Sequence, residues 1–338
     1  MNNLPDYQFL PAPLWLITVL HILTLTLHLA AMNFLLGGLI IILFGKFTDK
    51  WNHPVVQQFI KLFPAAMAAT VTLGVAPLLF VQLVYPVQIY SAAIISAWFF
   101  LAIVAAVIIA YYFLYAGSFA RKGSSRYPAV LTVAMLLLLY VSFTYSNVFS
   151  IAERPALAAQ LYAGNQSGFQ INPNVGEWIW RWLHMVLGAV TVAGFFVGLL
   201  GRKHDEAFNT GKTFFLWGMV GAMIVGLVYL LTLADILKPI MRSPAIWWMT
   251  VSIILSLGSL HFFFKKKFLP ASLMLFVSLL GMVVLRHYVR LIQLQDHFDP
   301  SSWTIKPQWD VFALFLVCFL LAVGLVWYML RLFFRKPD

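Results

Sequence analysis

The chain reads as nine long apolar runs separated by short polar breaks, with approximate limits 13–45, 63–86, 89–119, 127–149, 177–201, 212–236, 244–264, 268–291 and 309–333. A helix needs about 20 apolar residues to cross the hydrocarbon core of a bilayer, so each run predicts a transmembrane helix. Several runs are longer than the core is thick, which predicts tilt or projection into the headgroups. Pro77 inside the second run predicts a kink, and Pro86 marks the turn into the third. The pattern predicts an all-α polytopic membrane bundle of about nine transmembrane helices, forming a single domain over residues 1–338. One break is long, at about 150–176. Glu153-Arg154-Pro155 followed by alanines predicts a short surface helix there, with Pro155 in its first turn. Asn165-Gln-Ser-Gly and Asn172-Pro-Asn read as turns. This segment is either a docking surface for an outside partner or a cover over the helix ends.

Composition agrees with the pattern. Hydrophobic residues make up 62% of the chain and charged residues 10%, where a soluble domain carries about 25% charged residues. An ordinary soluble enzyme and a disordered chain are excluded. The net charge is +11, and the cations concentrate in alternate breaks. Lys46, Lys50 and Lys61 occupy the first, and Arg121, Lys122 and Arg126 the third. Arg202, Lys203 and Lys212 lie at the fifth beside Asp205 and Glu206, Lys265, Lys266 and Lys267 at the seventh, and Arg335 and Lys336 in the tail. The remaining breaks hold Glu153, Glu177, Asp235, Asp296 and Asp299. The positive-inside rule then predicts an outward N-terminus and a cytoplasmic C-terminus, and accounts for the positive charge without nucleic acid. The single cysteine, Cys318, rules out a disulfide within the chain and a cysteine-based metal or covalent haem motif. Met1–Leu10 lacks the basic start of a cleavable signal peptide.

The polar residues inside the runs are histidines rather than carboxylates. His21, His28, His184, His261 and His287 all fall within apolar runs. A buried neutral imidazole needs a partner for each nitrogen, and hydrocarbon offers none. A haem iron supplies one partner, and a backbone carbonyl or a hydroxyl the other. A hydrogen bond to a neighbouring helix would account for any one of these histidines, but five of them in a chain without mid-depth acids point to haem b, two or more per chain. His21 and His28 are seven residues apart, on one helix face and about 10 Å apart along the axis. His261 precedes Phe262-Phe-Phe and Lys265 and reads as an interfacial residue. Arg181 lies one turn before His184, and Arg286 and Arg290 flank His287. These arginines are candidates for haem propionates, which guanidinium groups bind bidentately, or for snorkelling to headgroups. Gly37, Gly38 and Gly188 allow close approach of a porphyrin or another helix.

Three segments resemble subunit I of the cytochrome bd quinol oxidases. Trp180-Arg-Trp-Leu-His184-Met-Val-Leu-Gly resembles the family's fifth helix, which carries a haem b histidine. Ala245-Ile-Trp-Trp-Met249 is similar to the start of its seventh helix, where a methionine is the opposite ligand, and His21 matches a ligating histidine of helix one. The span count and the predicted orientation match as well. The resemblance implies haem ligation by His184, Met249 and His21; His28, which is extra relative to the family pattern, and His287 are candidates from their place in the apolar runs. It also implies quinone or quinol as substrate and a multi-pass place in a bacterial inner membrane. The departures are specific. The family's Gly-Arg-Trp-Pro-Trp-like stretch and the acids of its third helix are missing, and its large outer quinol loop is reduced to about 235–243. Within that short loop Asp235, Lys238 and Arg242 are candidates for contact with quinol or propionates. The expectation is a divergent membrane cytochrome b, a quinol-linked oxidoreductase subunit. It would pass electrons between the quinone pool and a periplasmic cytochrome c or other redox subunit, surrounded by membrane lipid. The alternatives are a terminal oxidase subunit, a transporter, and a haem-free membrane anchor.

Overall fold

The computed structural model describes residues 9–44, 53–119 and 126–334. Lys46, Lys50, Arg121, Lys122, Arg335 and Lys336 lie outside the described residues. Among the described residues nine helices are long and apolar enough to cross a membrane. They are α1 (Leu14–Phe44), α2 (Pro54–Val84), α4 (Ala97–Phe119), α5 (Arg126–Ala152), α7 (Val175–Leu200), α8 (Asp205–Thr232), α10 (Ala245–Phe264), α11 (Phe268–Leu294) and α12 (Trp309–Phe334). Three shorter helices join them: α3 (Pro86–Ile95), α6 (Pro155–Gly164) and α9 (Leu237–Arg242). The all-helical membrane bundle anticipated from the apolar runs is therefore present.

The chain divides into two compact units, residues 1–19 with 300–338, and residues 20–299. In the first, β1 (Phe9–Leu10) pairs in parallel with β2 (Thr304–Ile305). The pairing continues as Lys306 N donates to Leu10 O and Gln308 N to Pro11 O, both at 3.0 Å. In the second, the main core brings Leu35, Leu39 and Ile42 of α1 against Phe59 and Phe63 of α2, Leu114 of α4, Leu131 of α5 and Ala189 of α7. A phenylalanine cluster (Phe195, Phe215 and Phe263) joins α7, α8 and α10.

Three elements differ from the apolar pattern. Helix α2 begins at Pro54, before the second run, behind His53, whose imidazole accepts from Val55 N at 3.3 Å. Its first turns bury Val55, Val56, Phe59 and Ile60 and expose Gln58 and Lys61, so Lys61 belongs to an amphipathic helix start rather than a loop. Helix α8 likewise starts at Asp205 and takes in Lys212. The third run is broken at Ser96 into α3 and α4. A broken helix leaves backbone groups without intrahelical partners, and segment 165–174 supplies them. Gln170 N donates to Ile95 O and Trp98 N to Gly168 O, both at 3.2 Å. The buried Ser96 hydroxyl donates to Gln170 O at 2.7 Å and accepts from Asn147 Nδ2 at 3.0 Å. Gly168 has φ +77°, and a Cβ there would lie 3.0 Å from Ala97 Cβ, so glycine is required. Helix α6 starts on Pro155, as its place in the sequence anticipates.

Helices α7 and α8 approach at backbone distance. A Cβ at Gly211 would lie 2.2 Å from Gly198 N, and one at Gly194 2.5 Å from Phe215 N. Gly211→Ala must push the helix pair apart and is expected to cost about 1–3 kcal/mol, the usual penalty of overpacking. Gly164→Ala, where a Cβ meets nothing within 4 Å, should stay near wild type. Thermal unfolding of both variants in mild detergent checks this.

Candidate functional site

Three of the intramembrane histidines share one local arrangement. His21 Nδ1 lies 3.1 Å from Pro77 O, His28 Nδ1 2.9 Å from Thr70 O, and His184 Nδ1 2.8 Å from Ala222 O. The seven-residue step between His21 and His28 on α1 is matched by the seven-residue step between their acceptors on the antiparallel α2. A carbonyl only accepts, so the proton of each neutral ring sits on Nδ1 and the lone pair on Nε2. Among the described residues no hydrogen-bond partner meets any of these three Nε2 atoms.

Glycine makes room for two of the rings. A Cβ at Gly74, one turn after Thr70, would lie 2.8 Å from His28 Nδ1. A Cβ at Gly226, one turn after Ala222, would lie 2.8 Å from His184 Nδ1. The surroundings of His184 are open as well. Residues 182–188 of α7 are each partly exposed, with neither a buried nor a fully exposed position among them. A helix turned to lipid on one side shows a buried and an exposed face. Gly188, one turn from His184, meets nothing within 4 Å.

The other sequence candidates are placed differently. His287 is half-buried on α11, edge-on to Tyr288 at 5.7 Å, and within electrostatic reach of His21 and Arg290. Met249 is half-buried on α10, and His261 is exposed, in keeping with an interfacial residue. Lys238 and Arg242 are exposed on α9. Asp235 is exposed too and pairs with Arg154 at 3.2 Å. Among the described residues no three His, Cys, Asp or Glu side chains converge as they would on a bare metal ion. A porphyrin-held iron asks for only one or two axial side chains.

The three arginines meet a protein partner that the sequence reading did not assign to them. Glu153, just past α5, is buried at 2% exposure and takes all three. Arg181 Nη1 donates to its Oε2 at 2.8 Å, Arg286 donates to the same oxygen, and Arg290 Nε reaches Oε1 at 3.3 Å. Arg181 also donates to the Ser146 hydroxyl at 3.3 Å and to Ser146 O, and Arg286 Nη1 donates to the Tyr229 hydroxyl at 3.2 Å. The two terminal nitrogens of Arg290 make no hydrogen bond among the described residues, and its guanidinium lies 5.5 Å from the Phe149 ring. Three guanidinium groups around one carboxylate leave an excess of buried positive charge, which favours a further anionic partner.

Burial pushes the Glu153 carboxyl up, but Arg286, Arg181 and Arg290 outweigh it and hold the group down at about 2. No family model matches the chain, and no curated protein matches it.

Two outcomes are expected from this cluster. Glu153→Gln strips the carboxylate from three buried cations and should cost about 3–5 kcal/mol of stability in detergent. Because the folded carboxyl titrates below its ordinary value of 4.5, its contribution is full above pH 4.5 and is lost as pH falls toward about 2. Unfolding temperature recorded against pH should show that acid limb in the wild type and not in Glu153→Gln.

Proposed function

We propose that the chain is a membrane cytochrome b subunit that exchanges electrons between the quinone pool and a redox partner outside the membrane. The observation that carries this reading is the shared histidine arrangement. His21, His28 and His184 are each oriented through Nδ1 by a carbonyl of the facing helix and present the Nε2 lone pair. Metal-bound histidines are held in this way, with the second nitrogen fixing tautomer and ring orientation. A bound haem b would supply a one-electron iron couple. His184, His28 and His21 are the primary axial candidates, and Met249 and His287 the second ligands to choose among. The arginine excess around Glu153 suits the propionates.

The membrane orientation belongs to the same reading. Cation-rich breaks alternate with acid-rich ones, so the Glu153 end of the bundle is assigned to the outer face of a bacterial inner membrane and the C-terminus to the cytoplasm. A periplasmic cytochrome c or a similar redox subunit would then dock at that outer end. The missing third-helix acids favour electron transfer over oxygen reduction.

Reduced-minus-oxidised spectra of purified variants test the assignment. His184→Ala should remove one b-type component. Gly226→Ala should lose or shift the same component, because the added methyl occupies the place of the His184 ring. Spectra that match wild type in both variants would overturn it.

A further inference from the structure

At the junction of α2 and α3, two buried polar atoms have no hydrogen-bond partner among the described residues. The Tyr85 hydroxyl is enclosed at the junction of α2 and α3, and makes no hydrogen bond among the described residues. The Gln88 side-chain oxygen, one turn further along α3, is equally enclosed and equally unpaired. Buried polar groups in folded proteins are paired with few exceptions, and one without a protein partner calls for a water, an ion or a ligand. Two such atoms within one turn are a stronger sign than either alone.

The surroundings define the ligand. The Phe298 ring meets the Tyr85 ring edge-on at 5.7 Å. The Arg290 guanidinium lies 5.8 Å from the Tyr85 ring centre, and its terminal nitrogens make no hydrogen bond among the described residues. The same short helix exposes Val87, Tyr90 and Ile94, an apolar flank of the kind that faces lipid. A ligand here meets aromatic walls, a hydroxyl and a guanidinium that donate, and an amide oxygen that only accepts, with the Glu153 and Asp299 carboxylates within electrostatic reach of Tyr85. A phosphate or carboxylate would satisfy the donors and leave the Gln88 oxygen without a proton to accept. A hydroquinone ring carries hydroxyl groups that both donate and accept, and its apolar tail can leave over Val87 and Ile94.

We infer that Tyr85 and Gln88, with Arg290 beside the Tyr85 ring, form a binding site for a quinol or quinone head-group at the α2–α3 junction. The inference rests on the cytochrome reading for its substrate class and on the unpaired atoms for its location.

The test is equilibrium binding of a fluorescent hydroxyquinoline N-oxide, a quinol analogue, to the purified full chain in mild detergent. Wild type, Tyr85→Phe and Gln88→Leu are compared, with competition by a short-chain naphthoquinone. Each variant should bind at least about tenfold more weakly, the effect of losing one hydrogen bond to a bound ligand. Each should unfold at the wild-type temperature, because neither atom has a hydrogen-bond partner to lose among the described residues. Equal binding by all three proteins, no binding by wild type, or weaker binding accompanied by lost thermal stability overturns the site. Haem content is measured on the same samples. Haem-free protein that still binds the analogue through Tyr85 would overturn the cytochrome reading and leave the site standing.

Discussion

One buried carboxylate holds together the end of the bundle on which the polar chemistry gathers. Glu153 follows α5, Arg181 is on α7, and Arg286 and Arg290 are on α11, so a single side chain joins three elements of the membrane domain. Such a cluster is costly to desolvate, and its attraction offsets that cost only where geometry and additional hydrogen bonds are good. Ser146 and Tyr229 provide those bonds. Glu153 is already committed to three cations and held ionised, which makes it a poor proton acceptor. Its role is to fix the arginines in place while their charge exceeds its own.

The histidines follow a second rule of the membrane interior. Polar groups there find partners inside the protein or from a ligand. Each of three rings gives its Nδ1 proton to a carbonyl of the neighbouring helix, and glycine at 74 and 226 lets two of those helices come near enough. Packing thus does the orienting. A ring so fixed has one free lone pair and little freedom to turn it elsewhere. That makes the arrangement suited to iron, and it is the physical core of the cytochrome reading.

The nine helices were legible in the apolar runs because burial in lipid and burial in protein both demand apolar side chains, and length separates a span from a soluble helix. The break at Ser96 was not legible. The residues on either side are as apolar as those of an unbroken helix, and the break depends on Gln170 and Asn147, distant in sequence. The early start of α2 was hidden because its first turns are amphipathic. The histidines and arginines stood out as polar residues in apolar surroundings. Their partners did not, since hydropathy reports depth and not neighbours. Glu153 read as an ordinary loop acid, and nothing in its local sequence tells that three arginines converge on it. Tyr85 and Gln88 passed unnoticed for the same reason: an unpaired atom is a property of packing.

The most direct test of the account is haem stoichiometry. Wild-type protein made in haem-sufficient cells and purified in mild detergent is assayed by the pyridine haemochrome method against protein concentration. The account predicts non-covalent b haem at two or more per chain. Folded protein with no haem would contradict it.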